Sequence, residues 1–322
     1  MTLSTEVSWV LDEIEMFGTI TKPEGEGRFP SVVMVAGSGP TDRDWNSPLL
    51  PGGNGSARHI AEALAEAGYA SIRYDKRASG PHVMENLPAM VGHISMQSHL
   101  DELVAATAQL AADPTIDAER LAGFGNSEGC LHVLHYATTT QPHPFSAIVL
   151  TGAPGRSIGT VLVTQLSQQL SGAPELIPLV EQAAARYGAG EPIAADERLP
   201  EPVRMVFRSF ETPANLPFAR ELWSEDATMS LPRVTIPTLV LIGGKDIQID
   251  AHADGAPLQE ATRGKANVTF LFPTDANHVL KHESHTREEV LAGQGTPYND
   301  DAAVLDAEAM ADILKWLHQT LD

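Results

Sequence analysis

With 322 residues, 43% of them hydrophobic, the chain is long enough for one large domain with an insertion or for two domains of moderate size. Its 42 acidic against 21 basic side chains give a net charge of −21, which argues against a nucleic acid or an anionic membrane as partner. A single cysteine, Cys130, excludes an intramolecular disulfide, and the first residues lack a signal-peptide pattern, so we expect a cytoplasmic protein.

The first half of the chain alternates predicted strands and helices. Residues 12–21 alternate in polarity like a half-exposed strand near a sheet edge, and the apolar run 30–40 stops at glycine and proline like a buried strand. The elements predicted after these are a helix at 57–69, a strand at 70–75, a helix at 96–113, a strand at 120–125, a helix from Glu128 and a strand at 146–152.

The pattern changes after residue 155. Between Arg156 and Pro232 there is no strand-like run, only short amphipathic pieces separated by proline and glycine. Two further strands are predicted at 237–244 and 267–273, with helices near 255–263 and 302–320. Strands that alternate with helices indicate a mainly parallel sheet covered on both faces. We therefore predict an α/β protein whose core comprises residues 1–155 and 233–322, with a helical cap inserted at 156–232.

The stretch LAGFGNSEGC (121–130) is compatible with two kinds of site. Gly123-Phe-Gly125 is the start of a dinucleotide-binding loop, G-x-G-x-x-G. That loop needs a third glycine and an acidic residue after the next strand, which holds the ribose. Glu128 occupies the place of the third glycine, and the next strand ends LTGAPG, without an acid. The sequence therefore argues against a nicotinamide cofactor.

The same stretch also contains G-x-S-x-G, the turn that presents a nucleophilic serine between a strand and a helix. Ser127 follows the strand RLAGFG, and Gly125 and Gly129 leave room for the neighbouring strand and helix. The motif alone occurs often by chance, so it needs a base and an acid in support. Both belong on loops after later strands, in the chain order serine, acid, histidine.

The later strands supply both partners. Asp246 follows the strand PTLVLIGG, and His278 follows the strand NVTFLFP, in the required order. Asp250, four residues after Asp246, is the alternative acid. His282 and His285 lie close to His278, but no carboxylate or cysteine pattern accompanies them, so we expect no metal site. The serine hydrolase interpretation is preferred.

The chain resembles the α/β-hydrolase superfamily, in particular bacterial serine carboxylesterases that carry G-S-G-P-x-D-R-D after the third strand. The segments that carry the resemblance are AGSGPTDRDWN (36–46), IRYDKR (72–77), GNSEG (125–129), PTLVLIGGKD (237–246) and ANHVLK (276–281). They lie in both core segments and leave the cap unmatched. Two departures are KRASG in place of K-R-G, and Ala36-Gly37 in place of His-Gly.

The resemblance implies an α/β-hydrolase fold and a Ser-His-Asp triad. Ser127 would attack the carbonyl of an ester, and His278 would take its proton and later protonate the leaving alcohol. Asp246 would hold the imidazole in the correct tautomer.

Two backbone amides are expected to bind the oxyanion of the tetrahedral intermediate. One is the amide of Glu128, directly after the nucleophile, and the other belongs to the loop after the third strand. Ser38 is preferred for the second, with Gly39 as the alternative. The charged residues 42–44 are expected to order this loop through ion pairs.

We predict hydrolysis of short-to-medium acyl esters of carboxylic acids, without cofactor or metal, on a small-molecule ester substrate. The alternatives are an acyl-CoA thioesterase or another acyl hydrolase or acyltransferase, and, more distantly, a non-catalytic ligand-binding homologue. The oligomeric state does not follow from the sequence. Cap positions that recur at helical spacing and are expected to contribute to an acyl pocket are Phe207, Phe210, Phe218, Leu222 and Trp223.

Overall fold

The computed structural model describes residues 2–49, 51–293 and 299–321. Its strands are β1 (Thr2–Leu11), β2 (Ile14–Pro23), β3 (Phe29–Val35), β4 (Ala70–Tyr74), β5 (Ile116–Asn126), β6 (Ala147–Thr151), β7 (Thr238–Leu241) and β8 (Val268–Leu271). Within the described residues they form one eight-stranded sheet in the order β1-β2-β4-β3-β5-β6-β7-β8. The pairs β1-β2 and β2-β4 are antiparallel, and every later pair is parallel. The parallel strands all end at one edge, where loops can converge on a site.

Helices connect and cover the strands. They are α1 (Ser56–Glu66), α2 (Val83–Met90), α3 (Met96–Ala111), α4 (Gly129–Ala137), α5 (Ile158–Gln169), α6 (Ile177–Gly188), α7 (Glu201–Ser209), α8 (Phe218–Trp223), α9 (Ala227–Ser230), α10 (Gly255–Ala261), α11 (Arg287–Leu291) and α12 (Ala307–Leu321). None of these helices combines the length and the apolar character that a bilayer span requires.

Strand β3 shows how the sheet builds a core on both faces. Val33 and Val35 belong to one apolar cluster, together with residues of α3 and α4, whereas Val32 and Met34 belong to a second, with α1 and α12. Successive side chains of a strand point to opposite faces, so a continuous apolar run is what burial on both faces requires. The predicted doubly covered, mainly parallel sheet is confirmed.

The segment predicted as a cap is helical. The five helices α5 to α9 lie within it, and a third apolar cluster, separate from the two sheet clusters, packs α5, α6 and α7 together. Phe207 is completely buried in that cluster, and Leu166 and Val180 contribute to it from the neighbouring helices. The division of the chain at residues 156 and 232 stays a prediction.

Three elements in the described residues go beyond those predicted: strand β1 and helices α2 and α11. Strand β1 pairs with β2 along its whole length, but most of its side chains are exposed on both faces, so it lacks the alternation that marks a half-buried strand. Helix α2 contains Pro88, a residue that normally argues against a helix interior.

Candidate active site

Ser127 lies on the sharp turn between β5 and α4. Its φ of +55° is in the left-handed region, which is costly for a residue with a side chain. A β-carbon at Gly125 would lie 2.6 Å from the Gly129 carbonyl oxygen, and one at Gly129 would collide with the Val35 carbonyl. The backbone amide of Ser127 donates to Thr151 O of β6 at 2.9 Å, which holds the turn against the neighbouring strand. The turn has the conformation of a nucleophile elbow.

Asp246 and His278 form a buried pair at the same edge of the sheet. Oδ2 of Asp246 lies 2.7 Å from Nδ1 of His278, and the two residues are 1% and 4% exposed. Because an ionised carboxylate can only accept, Nδ1 carries the proton and Nε2 is free to act as a base. The other oxygen of Asp246 accepts the amides of Gln248 and Ile249 at 2.8 and 2.9 Å, which fixes the carboxylate.

Asp250, the alternative acid, binds partners other than His278. Asp250 accepts from Arg287 at 2.6 Å and from the backbone amides of His252 and Ala253. The structure therefore brings Asp246, and not Asp250, to His278.

The histidines that follow His278 in sequence do not join a metal centre. His282 faces Asp306 at 3.1 Å, and His285 faces Glu283 at 2.6 Å, in two separate pairs. Among the described residues there is no group of three side chains arranged to hold a metal ion.

Ser127 and His278 line one cavity of about 600 Å³. In the described part of the chain the Ser127 hydroxyl has no hydrogen-bond partner, so an Oγ–Nε2 bond belongs to the mechanism proposed below and not to the resting structure. The histidine loop is nevertheless tied to the elbow, since Asn126 Nδ2 donates to the carbonyl oxygen of His278 at 3.0 Å.

Ser38, Gly39 and Glu128 line the same cavity as Ser127. In the described residues none of their three backbone amides has a hydrogen-bond acceptor. The loop that carries Ser38 and Gly39 and the turn that carries Glu128 thus meet at the nucleophile, as the oxyanion-hole prediction requires. Which amide of the loop completes the hole stays a prediction.

The charged residues of the loop form the contacts expected of them. Asp42 accepts the amides of Asp44 and Asn46, each at 2.9 Å. Asp44 itself pairs with Arg73 at 3.0 Å. Arg43 pairs with Asp75 at 2.9 Å, beside the end of β4. These contacts fix a loop that has no helix or strand of its own.

A cluster of buried charged side chains lies behind the elbow, and the sequence patterns did not reveal it. Its members are Lys76, Arg77, His99, Glu102, Glu128 and His132. The one available signal was position, because Lys76 and Arg77 come two and three residues after the end of the fully buried strand β4.

The cluster shifts the pKa values of its members. Burial by itself would raise the pKa of Glu128, but the charge of Lys76 and the hydrogen bond from His132 hold it well below its usual range. Burial lowers the pKa of His132 to about 4, against the opposing influence of Glu128. At neutral pH the cluster therefore contains a carboxylate and a neutral imidazole.

The cavity walls come from the cap and from α2. Of the cap positions predicted to contribute, Phe210, Phe218 and Leu222 line it. Phe207 and Trp223 do not, and for them the prediction was wrong. Phe207 lies in the core of the cap, and Trp223 packs edge-on against Tyr187 and Phe210. Helical spacing could not separate the face of a helix that packs against neighbouring helices from the face that lines the cavity.

Helix α2, which the sequence did not predict, adds Val83, Leu87 and Met90 to the lining.

Known proteins resemble this chain in sequence and in fold. The esterase EstD of Thermotoga maritima is 27% identical over 263 residues, which are 82% of this chain and 57% of that protein. The chain thus spans little more than half the length of this relative. A dienelactone hydrolase from Anabaena variabilis superposes with a TM-score of 0.54 at 18% identity, over 100% of this chain and 99% of that one.

An esterase from Pyrococcus furiosus superposes with a TM-score of 0.56 at 15% identity, over 99% of this chain and 92% of that one. No family model matches this chain. The structural neighbours and the sheet order establish the α/β-hydrolase fold, as predicted.

Proposed function

We propose that this chain is a serine hydrolase that cleaves short-to-medium acyl esters of carboxylic acids through Ser127, His278 and Asp246. The observation that carries the proposal is the strained turn at Ser127, which opens into the same cavity as a buried His278–Asp246 pair. A serine held at positive φ is costly, and such strain concentrates at functional sites. The similarity to an esterase of Thermotoga maritima supports the same chemistry.

In the proposed reaction Nε2 of His278 takes the proton of Ser127 as Oγ attacks the ester carbonyl. The tetrahedral intermediate collapses, the bond to the alcohol oxygen breaks, and the imidazolium returns its proton to the leaving alcohol. Water then repeats the sequence on the acyl-enzyme and releases the carboxylic acid. Asp246 stabilises the imidazolium throughout, because its carboxylate accepts from Nδ1 at 2.7 Å.

Backbone amides donate hydrogen bonds that stabilise the negative charge that develops on the carbonyl oxygen. Glu128 supplies one, and Ser38 supplies the second, with Gly39 as the alternative. All three residues line the cavity at the nucleophile. Amides fixed in advance in a water-poor site stabilise this charge without reorganisation.

The cavity supports the proposed substrate class. Its volume of about 600 Å³ lies within the range of small-molecule sites, and most of the residues from α2 and the cap that line it are apolar, with Gln165, Ser209 and Asn215 as polar exceptions. We propose that the acyl chain occupies the part beneath Phe210, Phe218 and Leu222. A small-molecule ester in the cytoplasm is the expected substrate, with no cofactor and no metal.

The proposal is tested with Ser127→Ala and a substrate panel. The variant should lose about 10⁶-fold in kcat on p-nitrophenyl esters, as in other serine hydrolases. A fluorophosphonate should label the wild type at Ser127 only. The panel includes esters of increasing acyl length, acyl-CoAs and peptides, so that a thioesterase or a peptidase gives a different ranking. A folded Ser127→Ala protein that keeps its activity within tenfold refutes the assignment.

A further inference from the structure

Lys76 is a buried cation that contacts both sides of the predicted oxyanion hole. It follows β4 and is only 3% exposed. Its Nζ donates to the carbonyl oxygen of Gly37 at 2.6 Å and lies 3.5 Å from Oε1 of Glu128. Burying an ammonium costs several kcal/mol unless partners offset the cost. The contacts with Gly37 and Glu128 therefore offset the cost of burying Lys76.

The contact with Gly37 fixes the direction of an amide. The carbonyl of Gly37 and the N–H of Ser38 belong to one planar peptide group, and in a trans peptide they point in opposite directions. When Lys76 holds the oxygen on one side, the N–H of Ser38 must point to the other. Ser38 lines the cavity and its amide has no acceptor among the described residues. Lys76 thus prevents the rotation of this peptide that would turn a carbonyl toward a developing oxyanion.

The contact with Glu128 acts on the second donor. The side chain of Glu128 is 2% exposed and also accepts from His132 at 3.3 Å, one turn further along α4. Both partners contact the same atom, Oε1 of Glu128, and a side chain held in this way restrains its own backbone, which supplies the amide next to Ser127. One ammonium group therefore joins the loop of residues 36–41 to the start of α4.

We propose that Lys76 is a positioning residue of the oxyanion hole, which sets the direction and spacing of the amides of Ser38 and Glu128. Lys76 acts through these two peptides and takes no part in proton transfer. The inference rests on the proposed function, since an oxyanion hole has a role only if Ser127 attacks a carbonyl. It goes beyond that function by assigning the buried cluster a task in catalysis.

The test is Lys76→Met, which keeps the length and apolar stem but removes the ammonium. Its kcat on a p-nitrophenyl ester should fall by about 10²- to 10³-fold, the effect of losing one oxyanion-hole donor, with KM within a few-fold of wild type. An alkyl boronic acid forms a tetrahedral adduct on Ser127, and its affinity should fall in proportion to kcat/KM. A purely structural role would lower the melting temperature without this proportionality.

The matched control is Lys22→Met. Lys22 also makes a 2.6 Å ion pair, with Asp113, and its side chain is 17% exposed, but it is not among the residues that line the cavity. This variant should keep the kcat and boronate affinity of the wild type. If Lys76→Met is folded and keeps kcat within threefold, the proposal for Lys76 is overturned.

If Lys76→Met does not fold, the same measurements are made on Lys76→Arg. This variant keeps the positive charge but replaces the compact ammonium with a larger, planar guanidinium. Proportional losses of kcat/KM and boronate affinity support the proposal, and a loss of kcat/KM with unchanged boronate affinity overturns it. The proposed function fails separately: a wild type that hydrolyses no ester and does not react with a fluorophosphonate refutes the function before any variant is made.

Discussion

Gly152, at the end of β6, lies directly against the imidazole of His278. A β-carbon at position 152 would be 3.0 Å from Cε1 of His278 and 3.3 Å from Oδ2 of Asp246. The residue has φ +59°, and its amide donates to the carbonyl of Leu241 in β7 at 2.8 Å. The backbone of Gly152 thus packs directly against His278 and Asp246. Any side chain at position 152 would displace one of these two residues.

The first prediction is that Gly152→Ala lowers kcat although it replaces none of the three proposed catalytic residues. The added methyl group must push His278 or Asp246 aside, and a displacement of about 1 Å at a reacting group costs about 10²-fold. Ester hydrolysis and the rate of fluorophosphonate labelling at Ser127 should both fall by roughly that factor.

The control for this variant is Gly190→Ala. Gly190 has a similar φ of +84°, but a β-carbon there meets no atom within 4 Å. Both variants carry the left-handed penalty of about 1 kcal/mol, so any difference in kcat reports on the imidazole. Equal kcat values for the two variants would contradict the proposed role of the contact.

The second prediction separates the two candidate acids. Asp246→Asn should keep the fold and lower kcat by up to about 10⁴-fold, because an amide that can donate to Nδ1 favours the wrong imidazole tautomer. Asp250→Asn should leave kcat close to wild type and lower stability through its contact with Arg287. Steady-state kinetics and urea unfolding on both variants decide the matter. The reverse ranking of kcat would make Asp250 the acid.

The fold was readable from sequence because buried parallel strands leave a plain signal. The runs that became β3, β6 and β7 are continuous and apolar, and each is covered on both faces. The elbow was readable because its requirements are local: a strand, two small residues around Ser127, and a helix. The order of Asp246 and His278 added a second, independent signal.

The features that were not predicted depend on contacts between residues far apart in the sequence or lack a clear local pattern. Lys76 meets Gly37 and Glu128, which lie 39 and 52 positions away along the chain. Strand β1 escaped prediction because both of its faces are largely exposed. Phe207 and Phe218 look alike in a helical pattern, and only the packing of the cap helices assigns the first to a core and the second to the cavity.

The third prediction concerns pH. The pKa of His132 is about 4 in the folded chain, against 6.5 for an unperturbed histidine. Between these values the unfolded chain binds a proton that the folded chain does not, so stability falls as the pH is lowered from 6.5 toward 4. From pH 7.5 to pH 5 this group alone should lower the free energy of unfolding by about 2 kcal/mol. The lowered pKa of Glu128 adds a further loss below pH 4.5.

Urea unfolding of His132→Gln at the two pH values tests this assignment. Glutamine can still donate to Glu128 but does not titrate, so the variant should lose about 2 kcal/mol less than wild type between pH 7.5 and pH 5. His93→Gln changes an exposed histidine and should retain the wild-type pH dependence. An equal pH dependence in His132→Gln and His93→Gln would show that His132 is not responsible.

The last prediction concerns the cap. Phe218 is only partly buried and lines the cavity, where its ring also meets His99 edge-on at 4.4 Å between ring centroids. Phe218→Ala should enlarge the acyl pocket and raise the ratio of kcat/KM for long over short esters by about tenfold, the lower limit of what one methylene contributes in an apolar pocket. Fluorophosphonate labelling of Ser127 should persist.

Phe207→Ala is the matched control, since it removes the same ring from the core of the same cap. Phe207 is completely buried, so its loss should cost about 3–5 kcal/mol of stability. The preferred acyl length should not change, because Phe207 is not part of the cavity wall. Thermal unfolding and the rates on the ester panel separate the two effects. If Phe218→Ala also lowers stability but leaves the chain-length profile unaltered, Phe218 does not select the acyl chain and the cap acts only as a cover.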